Sequence, residues 1–353
     1  LGTSAGAEIA SGSGNTILGN NSGKGSGDLT DTVLIGVGAS TERLRVTEDG
    51  LSINGGGVTV AGGDLISEGA GDNSFRAGPS AGQSAQGVDS VAVGIEAGKS
   101  AQGDGSVAVG RDAAEVSQGV FSVAIGVNAG RTTQGTYAVA VGRNSGNSNQ
   151  GDSTVAIGYG AANEKQSRGG VAVGLSAGYE NQGLSSVAIG SSAGRNGQGN
   201  YSVSIGINAG VGTDPSVFAN LTDEEIEAFD LSDPSLYEDQ AFSQGENAVA
   251  IGNAAGQSSQ GGSSVAVGRD AGKTSQAGNA LAAGYQAGAT SQGANSTALG
   301  FSAGKTTQGA SAVAVGSNAG ENNQSSYAVA VGRDAGKTNQ GGRAVAVGIY
   351  AGE

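Results

Sequence analysis

Ser90-Val91-Ala92-Val93-Gly94-Ile95-Glu96-Ala97-Gly98-Lys99-Ser100-Ala101-Gln102-Gly103-Asp104-Gly105 runs directly into Ser106-Val107-Ala108-Val109-Gly110, and the pattern has begun again. Aligned on V-A-V/I-G, such units start at Phe75, Val91, Val107, Val123, Val139, Val155, Val171, Val187 and Val203. They resume at Val249, Val265, Leu281, Thr297, Val313, Val329 and Val345. Every step is sixteen residues except the one from Val203 to Val249. Counting positions from the first valine, the consensus is V-A-V-G-x-x-A-G-x-x-x-Q-G-x-x-S/A. Position four is Gly in all sixteen units, and position seven is Ala everywhere but Ser145. Position twelve is always Gln: Gln86, Gln102, Gln118, Gln134, Gln150, Gln166, Gln182, Gln198, Gln244, Gln260, Gln276, Gln292, Gln308, Gln324 and Gln340.

A period this short is too small for a helical hairpin repeat, and it lacks a 3.6-residue spacing. Two short strands joined by two tight turns fit it. Val91 and Val93 point to one face of the first strand and Ala92 to the other. Gly94 permits a corner, Ala97-Gly98 a second bend, residues 99–102 a second strand, and Gly103 the return. The fold class is therefore all-β: a repetitive β-solenoid, or β-roll, of sixteen-residue coils. At the strand spacing of about 4.8 Å, sixteen coils make a rod of roughly 75 Å. The valines are expected to fill the roll. Persistent Ala on the opposite face then argues for a second buried surface, which a homotrimer supplies. The glutamines are expected to stack as a structural amide ladder; the competing reading is a surface row contacting sugar or ice.

Composition excludes several functions. The chain has 353 residues, 69 of them Gly and only 3 Pro, with no Cys, His, Met or Trp. A net charge of −14 argues against nucleic acid as a partner. No apolar run approaches the length of a membrane span, so no membrane insertion is expected. Beginning at Leu1 and stopping in mid-repeat at Glu353, the chain reads as a processed or partial product. Without His or Cys, the usual nucleophile systems and zinc sites cannot be built. Gly272-Lys273-Thr274, Gly304-Lys305-Thr306 and Gly336-Lys337-Thr338 look like phosphate-binding loops, but the preceding glycines, Gly268, Gly300 and Gly332, stand one residue too close. A carboxylate pair for glycan hydrolysis has no aromatic platform beside it. No enzyme activity, cofactor or metal is expected.

Five segments follow. Residues 1–39 hold degenerate β repeats, Asn15-Thr16-Ile17-Leu18-Gly19 and Thr32-Val33-Leu34-Ile35-Gly36. Residues 40–74 form a connector with a β-hairpin around Asp49-Gly50. Residues 75–210 and 244–353 are solenoid, separated by an acidic insertion at 211–243. Thr222 with Glu225 makes a capping box, and Asp233-Pro234 a helix start, so two short helices are expected there. Phe218, Phe229, Leu236, Tyr237 and Phe242 in this insertion are candidate partner-docking residues. An inert acidic decoration is the alternative, and a calcium site a third, although the carboxylates lack the Asp-x-Asp-x-Asp-Gly order. Phe121, Tyr137, Tyr201 and Tyr327 share position fifteen and are expected to pack against neighbouring coils, with a contact patch for a ligand as the alternative. Arg111-Asp112, Arg269-Asp270 and Arg333-Asp334 share positions five and six and are candidate ion pairs.

Ser90-Val91-Ala92-Val93-Gly94, Ser122-Val123-Ala124-Ile125-Gly126 and Ser186-Val187-Ala188-Ile189-Gly190 resemble the head repeats of trimeric autotransporter adhesins. Those heads have shorter units. The longer form, as in Asn128-Ala129-Gly130-Arg131-Thr132-Thr133-Gln134-Gly135, is similar to repeats of phage and large-virus fibre proteins. Glu42-Arg43-Leu44-Arg45-Val46, followed by Asp49-Gly50 and Ile53, is similar to segments of phage tail fibres. The resemblance implies a tail-fibre type of virion appendage that forms a homotrimeric shaft for host attachment. Its partners would be its own copies, other virion proteins, and a host surface receptor or glycan. A bacterial trimeric adhesin head, or a self-assembling extracellular filament, is the alternative.

Overall fold

The computed structural model describes residues 73–212 and 244–352, together with the backbone of four short strands nearer the start of the chain. The chain divides into two compact units, Leu1–Leu65 and Ile66–Glu353. In the first, β1 (Thr16–Leu18), β2 (Val33–Gly36), β3 (Glu42–Thr47) and β4 (Gly50–Ser52) form one sheet in that order. β1 and β2 run parallel, so the two degenerate repeats stack side by side. β3 and β4 make the hairpin. Thr47 pairs with Gly50 across it.

The second unit is a β-solenoid. Positions one to three of every coil, from β5 (Phe75–Ala77) to β32 (Val345–Val347), build a sixteen-stranded parallel sheet. The register is one unit per strand, with Val91 opposite Val107, Ala92 opposite Ala108 and Val93 opposite Val109. Positions ten to twelve form a second wall in two pieces. One is a seven-stranded sheet from Ser84–Gln86 to Glu180–Gln182, the other a five-stranded sheet from Ser258–Gln260 to Asn322–Gln324. Only positions ten and twelve pair in this wall, as in Val116 with Thr132 and Gln118 with Gln134. Position eleven is left-handed, for example Ser117 at φ 56° and Thr133 at φ 54°, and cannot join a ladder.

Corners are set by close backbone approach. Position-four glycines have φ between 124° and 132°, a region closed to L side chains. A Cβ on Gly94 would sit 2.5 Å from the carbonyl oxygen of Gly110 in the next coil. The same glycine's amide donates to the carbonyl of Ala77 in the coil before, at 2.8 Å. A coil with such tight corners encloses very little space.

That constraint reverses the expected faces. The valines do not fill the roll: no valine of the first strand is buried, whereas Ala92, Ala108, Ala124 and Ala140 are fully buried. The interior holds the alanines of positions two and seven, the small residue of position sixteen, and the glutamine of position twelve. The long glutamine occupies the cross-section, and only a methyl group fits opposite it. Two alanine methyls per coil contribute only about 1–2 kcal/mol of burial. Polar bonds inside the coil therefore carry more of the stability than in an ordinary core.

The insertion leaves the first sheet uninterrupted, because Val203 pairs directly with Val249. Gln244 bridges Gln198 and Gln260, so the chain returns to its place in the stack. The helices expected beyond Gly212, with Phe218, Phe229, Leu236, Tyr237 and Phe242, lie outside the described residues.

Candidate functional site

The glutamine column lies inside the rod, and its side chains are the largest fully buried ones among the described residues. Each Nε2 donates to the position-one carbonyl of its own coil, as Gln276 does to Val265 at 2.9 Å. It also donates to the next glutamine's Oε1. These amide–amide bonds run from Gln118 to Gln182 at 2.9–3.3 Å, and from Gln244 to Gln340 at 3.0–3.2 Å. The ladder is structural. It consumes the amides internally and leaves no row for a sugar or for ice.

The ladder breaks at Gln102 and Gln198, whose buried Oε1 atoms accept no hydrogen bond. Next to each break a serine hydroxyl donates to the following glutamine: Ser106 to Gln118 at 3.1 Å, and Ser204 to Gln244 at 2.7 Å. The second break coincides with the gap in the second wall, where coil 187 joins its neighbours at positions ten to twelve only through isolated bridges. Glu180, one coil earlier, has a buried Oε1 without a partner. Burial, reinforced by the negative charge of Glu164, pushes its carboxyl above the ordinary range.

The phosphate-loop lookalikes are occupied by the fold. The amides of Gly272 and Thr274 donate to Ala287 and Ala289 in the next coil, and Lys273 pairs with Asp270 at 3.1 Å. Nothing remains to cradle a phosphate there. Arg111, Arg269 and Arg333 each lie 3.4–3.5 Å from the aspartate that follows in sequence, so these pairs form within a coil. Glu96, Asp112 and Glu115 bring three carboxylates within 4.8 Å of one another. Lys99, Arg111 and Arg131 already neutralise them at 3.1, 3.5 and 2.8 Å.

What the coil presents outward is an apolar ribbon of two columns, positions one and three, flanked by mixed polar and apolar columns at positions five and fifteen. Columns one and three are valine, isoleucine and leucine in nearly every coil, among them Ile125, Ile157, Ile189, Ile251 and Leu299, all exposed. Column five adds Ile95, Leu175, Ile207, Tyr285 and Phe301, and column fifteen adds Phe121, Tyr137, Tyr201 and Tyr327. Phe121 stacks on Tyr137 at 5.7 Å and Tyr285 on Phe301 at 5.2 Å. Arg143, Arg269 and Arg343 lie over Tyr159, Tyr285 and Tyr327 at 5.4, 5.5 and 6.0 Å. The aromatics thus cross from coil to coil and stiffen the margins. The Val-Ala-Val alternation signals two unlike faces in the sequence, and in the structure the valines face out. No protein family, curated protein or solved structure matches the chain.

Proposed function

We propose that this chain is a structural shaft, a virion appendage of the tail-fibre type that works as a homotrimer and positions or performs attachment to a host. Its role is mechanical: a stiff stack of coils holds variable surface positions, and the acidic insertion, away from the particle. The observation that carries this reading is the unbroken sixteen-stranded parallel sheet, with one sixteen-residue coil per strand and an apolar outer face along its length. Monomeric proteins rarely leave so long an apolar patch uncovered, whereas the subunits of a fibre bury it. The absence of His and Cys from the sequence limits nucleophilic chemistry, and the fold spends its backbone amides between coils. Neither feature suits an enzyme.

An antibody raised against the repeats tests the proposal. Gold label on the appendages of purified virions, together with blocked adsorption to host cells, is the expected result. Label on a bacterial outer surface would replace the virion reading with an adhesin, and label along free extracellular fibres would replace it with a filament.

A further inference from the structure

The two walls of the rod differ at one coil. In the first sheet Val203 pairs with Val249, Ser204 with Ala250 and Ile205 with Ile251, the same three-residue register as in the coils before. In the second wall the same coil takes position ten from Gly212 and position twelve from Gln244. Both are seated: the Gly212 amide donates to the Gln257 carbonyl at 3.1 Å, and the Gln244 carbonyl accepts from Gly199 at 2.9 Å. In other coils these positions belong to one three-residue stretch, as Ser258–Gln260 does in the coil that follows. In coil 203 no such stretch links them, and the wall is covalently interrupted there.

Further losses gather at the same coils. Positions ten to twelve of coil 187 pair with their neighbours only through isolated bridges, and the amide ladder does not pass from Gln198 to Gln244. Glu180, Asn196 and Gln198 each bury a side-chain oxygen that has no hydrogen-bond partner; among the described residues only Gln102 has another. Gln102 supplies the contrast. The ladder breaks there too, yet Ser100–Gln102 stays paired with both neighbouring strands. A ladder break alone therefore leaves the wall whole. A notch of about 520 Å³ opens beside the interruption, lined by residues that include Lys165, Asn181, Gly197, Asn200 and Glu246. Gly197 is the one glycine in column eleven, so no side chain fills the notch from that coil.

We propose that coils 187, 203 and 249 form a joint about which the rod bends, and that the insertion creates it by interrupting the second wall. The first sheet, unbroken, is the strip that flexes. Bending opens or closes the second wall, and the notch gives it room to close. On either side the second wall is continuous, up to Glu180–Gln182 before the joint and from Ser258–Gln260 after it, so the flanking coils move as stiff arms. A few residues at the ends of elements take up such a motion, and little cooperative structure is given up where pairing is already sparse. For its use the joint rests on the reading of the chain as a shaft: one joint lets a shaft aim its far end while each arm keeps its shape.

Distances along the second wall test it. With walls up to about 10 Å apart, a bend of about 20° around the first sheet changes the length of the second wall by roughly 3 Å. Spin labels on Asn149→Cys and Ser275→Cys span six coils across the joint, and labels on Ala85→Cys and Asn181→Cys span six coils of unbroken wall. All four residues are exposed, and the chain has no cysteine of its own. In full chains diluted with unlabelled ones, the first distance distribution is expected to be wider than the second by roughly 3 Å. Deleting residues 213–242 leaves Ser243 as position eleven of a regular sixteen-residue coil, Val203 to Gly212 followed by Ser243, Gln244 and Gly245. That deletion, with circular dichroism to check the fold, is expected to narrow the first distribution to the width of the second. Equal widths in the full chain would overturn the joint, whether or not the deletion variant folds. A wide distribution that persists after the deletion would overturn the interrupted wall as its cause. Failure of the antibody to mark appendages would remove the shaft reading and leave the joint intact.

Discussion

Ser204 shows how finely the interior is set. From Ala92 to Ala346 every position-two residue is alanine except this one. Its buried hydroxyl takes the Oε1 of Gln244, and the amide ladder does not pass from Gln198 to Gln244. Ser204→Ala is expected to free that acceptor for Gln198, and so to slow amide exchange across coils 187 and 203, by about tenfold if one net hydrogen bond is regained. Faster exchange in the variant would show that the hydroxyl supports the coil. The alternation of Val91, Ala92 and Val93 was legible in the sequence, as was the glutamine ladder. The inside and outside of the first strand were not. The usual rule sends the larger aliphatic residue inward, and here the invariant glutamine had already taken the space. An unvarying long polar side chain beside glycine at every corner marked a narrow interior; the alanines were the only residues small enough to share it.

At the scale of the element, the second wall is less regular than the first. Its position-eleven residues, along with those at six and fifteen, are left-handed throughout, as at Asn128, Asn149 and Asn295. The frequent Asn, Asp, Ser and Gly in these columns were the readable signal for it, since these residues tolerate that conformation best. Repeat length fixed the number of coils but not these turns. The insertion enters where this wall is weakest: the flanking coil 187 has a broken ladder, and the coil before it holds the unpartnered Glu180 oxygen. Burial raises the Glu180 carboxyl's affinity for its proton in the folded coil relative to the unfolded chain. Its ionisation therefore opposes folding: stability at this site is complete below the ordinary carboxylate range and is lost as pH rises through the raised value. Local amide exchange around residues 180–198, corrected for intrinsic rates, should accelerate from acid to neutral pH. Glu180→Gln should flatten that rise and slow exchange at pH 7. Protection that increases towards neutral pH in the unmodified chain would contradict the assignment.

At the scale of the molecule, a chain with few large apolar residues inside builds its solenoid by repetition, and sets its valines outside. Fold class, coil length and the continuity of the rod past the insertion could be read from periodicity alone, because each column reports one environment sixteen times. The outward apolar face could not, because it depended on which face of a three-residue strand pointed inward. The account stands on one relation: each sixteen-residue unit advances the rod by a single strand spacing. Spin labels on exposed position-eleven residues measure it directly. In labelled chains diluted with unlabelled ones, Ser117 to Lys165 spans three coils and Ala85 to Asn181 spans six. Electron–electron distances near 14 Å and 29 Å are expected, rising linearly by about 4.8 Å per unit. Distances that level off, or that grow by any other constant step, would contradict the solenoid.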